Sequence, residues 1–227
     1  MHRKTMLLAS AFLARAVLSG ESASYPSMAP LDQYLMPVDA EIALARSAAP
    51  KSVSDDADVM VLGREGYTIA AKGTNGFLCI VERSWASPTD SGEFWNPKMR
   101  APNCFNAAAA RTFAQIYLMK TRLVLAGKSK AEILQATTSA LDAKELPPLE
   151  PGAMCYMMSK QQYLNDTGKN WHPHVMVFVS GDVTKSWGAN LPESPIIAAN
   201  DPEERVTIFM VWAAQWSDGT PGPPMVH

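Results

Sequence analysis

The sequence predicts an α+β domain whose antiparallel sheet carries its helices on one face, and three observations predict it. β-rich runs fall in two blocks, near residues 58–85 and 153–217, with two helical patterns side by side between them over 106–127 and 129–146. Turns within the first block are short and glycine-bearing, which favours antiparallel neighbours. Strands never alternate with helices, so a parallel sheet built from repeated βαβ units is not expected.

In chain order, "VDAEIALARSAA" (38–49) places Ile42, Ala45 and Arg46 at helical spacing and is stopped by Pro50. "DVMVL", "GYTIAAK" and "GFLCIVERSW" follow, separated by "GREG" and "GTNG". They read as a three-strand meander. In the third run Phe77, Cys79 and Val81 share one face and Leu78 and Ile80 the other, both apolar. "ASPTDSGEFWNPKMRAPNC" has no periodicity and reads as a long loop. Asn106 is a good N-cap for a helix ending at Gly127, with Phe113, Ile116, Tyr117, Met119, Lys120, Leu123 and Val124 on its stripe. Ser129 and Glu132 form a capping box for a second, more polar helix. Three to four further strands close the domain: "AMCYMMSK", "HVMVFVSG", a short "SPIIAA" and the two-sided apolar "RVTIFMVWAAQWS". This element order is similar to that of PAS- and profilin-like sensor domains.

The chain of 227 residues, 47% hydrophobic and 19% charged with a formal net charge of −2, fits one globular domain over 25–220. Without a basic run, nucleic acid is not an expected partner. No stretch reaches the ~18 uninterrupted apolar residues of a membrane span. Residues 1–24 follow the order of a secretory signal peptide: basic start, apolar run, small residues. Residues 221–227 are too rich in proline and glycine for an ordered end and read as a disordered tail. An exported chain with Cys79, Cys104 and Cys155 fits one disulfide and one thiol, Cys104 pairing with either of the others.

Chemistry-bearing residues concentrate in "KQQYLNDTGKNWHPH". In an extended chain His172 and His174 point the same way and could share a metal ion, with Asp166 as third ligand. Against this, His174 continues into Met176 and Phe178 on one face, as a buried strand histidine does. Cys155 could serve as a nucleophile beside either histidine, although its apolar strand suits an inert thiol. The same loop, with Tyr163, Lys169 and Trp171, and with Trp187, Trp95 and Arg100 from other loops, could instead line a pocket for a small polar ligand.

"FWNPKMRAPNCFNAAAAR", "GAMCYMMSKQQYLND", "NWHPHVMVFV" and "WGANLP" resemble segments of an uncharacterised family of exported bacterial proteins, a likeness running from about Glu41 to the C-terminus. The resemblance implies export and a single domain, and carries no activity. The resulting expectation is a periplasmic or secreted, non-catalytic domain of the cell envelope, binding a small molecule or an envelope protein. The competing expectation is a metal-dependent hydrolase using His172 and His174.

Overall fold

The computed structural model describes residues 25–224; the expected signal peptide, 1–24, lies outside the described residues. The fold is α+β. Its helices are α1 (Val38–Arg46), α2 (Lys51–Ser54), α3 (Ala107–Arg111), α4 (Phe113–Leu125) and α5 (Lys130–Asp142). Its strands are β1 (Asp58–Gly63), β2 (Gly66–Ala71), β3 (Leu78–Glu82), β4 (Ala101–Phe105), β5 (Met154–Met157), β6 (His174–Ser180), β7 (Ile196–Asp201) and β8 (Val206–Trp212). They form one sheet in the order β2-β1-β3-β4-β5-β6-β8-β7, antiparallel throughout except for β1 and β3.

That parallel pair corrects the expected meander. β1 and β2 form the hairpin, but β3 lies on the other side of β1. "GTNG" is therefore a crossover that passes under the start of β1. Gly73 N donates to Asp58 Oδ1 (2.9 Å) and Thr74 N to the Asp56 carbonyl (3.0 Å). A Cβ on Gly73 would overlap that carbonyl oxygen, so only glycine lets one backbone pass so close to another.

A second correction concerns the helices, which cover both faces of the sheet. Leu78 and Ile80 of β3, with Phe105, Cys155, Phe178 and Val206, bury against Tyr117 and Val124 of α4 and Ile133 of α5. Cys79, Val81, Val59 and Cys104 bury on the opposite face against Leu44 and Ala45 of α1. All five residues of β3 are buried, so a single helical layer would leave half of that surface in water. Glu41 of α1 joins this layer to the sheet: its carboxylate pairs with Arg83 at 2.9 Å, both side chains fully buried, and accepts from Leu62 N at 3.1 Å.

β4 replaces the end of the expected loop. Cys79 and Cys104 face each other across β3 and β4 with Cα atoms 4.0 Å apart, a close, non-hydrogen-bonded antiparallel pair, and are joined by a disulfide. Pro102, two residues away, therefore turns its nitrogen toward the β5 side, where pairing begins only at Cys104. That is how a proline fits an interior strand. The expected single helix over 106–127 breaks at Thr112 (φ −123°, ψ −79°), and Phe113 starts a new one. Asn106 caps α3 and the Ser129–Glu132 capping box opens α5. At the C-terminal end Pro221 bridges to Gln215 and Gly222 N donates to the Ala214 carbonyl at 2.8 Å, while 225–227 lie outside the described residues. Among the described residues no helix is long and apolar enough to cross a membrane.

Candidate functional site

The loop that draws attention in the sequence is largely occupied with holding itself together. Asp166 accepts hydrogen bonds from the Tyr163 and Tyr25 hydroxyls and, at 2.9 Å, from Lys98 Nζ. The Tyr163 bond, then those of Tyr25 and Lys98, hold its carboxyl down at about 2. Tyr163 exchanges backbone bonds with Arg100 (2.7 and 2.9 Å). The Arg100 guanidinium donates to the carbonyls of Pro97, Met99 and Gln33, and burial lowers its pKa to about 10. Lys169 sits in the left-handed region (φ 58°), where the chain reverses with a bond from its N–H to the Asn165 carbonyl.

The two histidines do not converge on a common ligand position. His172 lies flat on Trp212, ring centroids 4.4 Å apart, whereas His174 is buried edge-on to Trp171 at 4.8 Å. His174 Nδ1 is 2.7 Å from the His172 carbonyl, which can only accept, so that nitrogen carries a hydrogen and is spent on a local turn. Burial lowers the pKa of His174 to about 4. Among the described residues no three His, Cys, Asp or Glu side chains gather as a metal site, and His172, His174 and Asp166 are not such a set. Cys155 is fully buried, bonded to Asn103 Oδ1 (3.5 Å), and burial pushes its thiol well up, the reverse of what a nucleophile needs. Nor do Trp171, Trp187 and Trp95 share a pocket wall. Trp95 is buried edge-on to Phe94 (4.6 Å), and Trp187 stacks on Phe209 (4.2 Å), which alternation places on the face of β8 opposite Trp212.

Trp171 and His172 do border an open hollow of about 550 Å³ with Trp216 and Pro221; a more enclosed and more apolar cavity lies elsewhere. Between the start of α4 and strands β6 and β8 is a space of about 480 Å³. Its walls are Phe113 and Tyr117 from α4, Met176 and Phe178 from β6 and Ile208 from β8. Glu82 at the end of β3 forms one side, and the β7–β8 turn brings Asp201, Glu203 and Glu204, with Asp90 beside them. Among the described residues its charged lining is acidic, with the Lys120 ammonium behind Glu204.

Local structure places each of these groups. Glu82 continues the alternation of Leu78 and Ile80, so it faces α4. One of its oxygens accepts from Asn103 Nδ2 at 2.6 Å, and the side chain lines the cavity. Lys120 lies one and two turns beyond Tyr117 and Phe113 on the buried stripe of α4, and its ammonium reaches Glu204 at 3.0 Å. Glu204 is held in the turn by the Asp201 carboxylate, which accepts from the Glu203 and Glu204 backbone N–H groups (2.9 and 3.1 Å). Glu203 in turn accepts from Thr89 N and Oγ1.

The electrostatics follow from burial. Glu82 is only 8% exposed, and desolvation, reinforced by the Glu204 charge, raises its carboxyl to about 8 against the opposing Asn103 bond. Desolvation also raises Glu204, with Lys120 pulling the other way. The Lys120 ammonium also pulls Glu82 downward, and a further cation beside it would favour the ionised form. Sequence reasoning missed this site because Glu82, Lys120 and Glu204 lie far apart in the chain. The one signal was a lysine inside the apolar stripe of α4.

Compared with protein-family models, curated proteins and solved structures, the chain matches none.

Proposed function

We propose that this protein is a non-catalytic binding domain for a small organic cation, held in the cavity between α4 and strands β6 and β8. The observation that carries the reading is Glu82: a carboxyl only 8% exposed, with one oxygen held by Asn103 and the other open to an apolar cavity whose charged lining among the described residues is acidic, one of those acids, Glu204, being paired with Lys120. Its size falls within the range of small-molecule pockets, where apolar walls and a few polar groups are the rule. Export to the cell envelope belongs to the same proposal. The order of residues 1–24 and the Cys79–Cys104 disulfide support it, because such bonds persist in oxidising compartments.

Isothermal titration with n-hexylammonium, hexanol and hexanoate tests the ligand chemistry. The ammonium is expected to bind more tightly than the other two. A hydrogen bond to a charged group contributes about 1.5–3 kcal/mol, so Glu82→Gln should weaken the ammonium by roughly ten- to a hundredfold. Equal binding of hexanoate, or an unchanged affinity in Glu82→Gln, would overturn the reading.

A further inference from the structure

A second cavity of about 480 Å³ adjoins the first, and the two share Phe113 and Glu204 as lining residues. The second is framed by Ile116 of α4, Leu141 of α5, the 146–149 segment and Val206 of β8. Phe113 is the partition. It is the first residue after the break at Thr112 and stacks on Phe178 with centroids 3.9 Å apart. The ring also meets Phe105 at a centroid distance of 6.3 Å and borders both spaces, so a rotation of this one side chain would join them; the rest of α4 is fixed by Tyr117, Lys120 and Val124.

The two chambers differ in charge. The charged groups of the first are all acidic, whereas the second has Lys144 and Arg205 on its walls, Arg205 being paired with Asp142 at 2.6 Å. We infer that the chambers act as one elongated site for a cationic amphiphile, its ammonium head at Glu82 and its hydrocarbon tail running past Phe113 into the second chamber. The inference rests on the binding reading above and extends it to a ligand class. Glu82 and Lys144 set the orientation: Glu82 lines the first chamber alone and Lys144 the second alone, whereas Glu204 borders both and is paired with Lys120, and Arg205 is paired with Asp142. Joined, the chambers approach the upper end of the ~300–1,000 Å³ spanned by ligand pockets.

The test is a titration series of n-alkylammonium ions from butyl to dodecyl, below their micellar concentrations, with dodecanoate as control. A tail that leaves water for the second chamber gains about 0.8 kcal/mol per methylene, which is roughly three- to fourfold in affinity per carbon. The expected result is a rise that continues beyond hexyl to decyl or dodecyl. In Leu146→Trp, which fills the second chamber, the ratio of dodecyl to butyl affinity should fall at least tenfold. A rise that stops near hexyl in the wild type overturns the elongated site and leaves the cation-binding reading standing. Dodecanoate binding more tightly than dodecylammonium overturns the assigned orientation and class. No binding by any ammonium removes both readings together. Should Leu146→Trp not fold, the wild-type series alone still decides.

Discussion

Replacing Glu82 by glutamine should stabilise the protein at alkaline pH and leave it nearly unchanged in acid. The Glu82→Gln side chain would keep the shape and an acceptor for Asn103 Nδ2, which now bonds Glu82 at 2.6 Å, while removing the buried charge. The carboxyl ionises at about 8 when folded, against an ordinary value of 4.5. Below about pH 4.5 both states are protonated; between 4.5 and about 8 only the unfolded chain gives up the proton, so rising pH costs the wild type stability until the loss levels off above about 8. At about 1.4 kcal/mol per pH unit, the penalty grows by roughly 4 kcal/mol between pH 5 and pH 9. Burial raises Tyr117 and Cys155 well above their ordinary values; the unfolded Cys155 thiol begins to ionise near pH 9, a cost that wild type and variant share and that largely cancels in the difference. Glu204, also raised, titrates in the same direction in both proteins and largely cancels in the difference. Urea unfolding of wild type and Glu82→Gln at pH 5, 7 and 9 measures the effect. The variant should gain on the wild type by at least about 2 kcal/mol on going from pH 5 to pH 9, half the full figure. A difference that stays constant over that range would refute the buried placement of Glu82.

Two other outcomes follow from the fold. Gly73→Ala should lower stability by about 2–4 kcal/mol, since the added Cβ displaces the Asp56 backbone and its bonds to Thr74 and Asn75; a urea midpoint within error of the wild type would contradict the crossover. The His174 ring should titrate near pH 4 in NMR spectra of the folded protein, and the fold should weaken as pH falls from about 6.5 toward 4, because the unfolded chain takes up that proton first. A His174 midpoint above 6 would place the ring in water.

The sequence by itself determined what depends on neighbours in the chain. The α+β class, the Asn106 and Ser129 caps, the β1–β2 hairpin and the apolar stripe of α4 were legible because period, cap and turn are written within about ten residues. The histidine pair was legible too, as either a metal pair or the buried start of a strand, and spacing could not choose between them. Spacing alone brings two imidazoles near each other, but only packing shows His172 on Trp212 and His174 bonded to a carbonyl. Tertiary structure decided the rest: β3 beyond β1, β4 inside an apparent loop, helices on both faces, and the cavity. Glu82, Lys120 and Glu204 come from three elements, Lys120 and Glu204 being 84 residues apart. No local pattern encodes their meeting. The sheet order and the packing of α4 bring them together, and burial turns three ordinary surface residue types into a buried charge cluster.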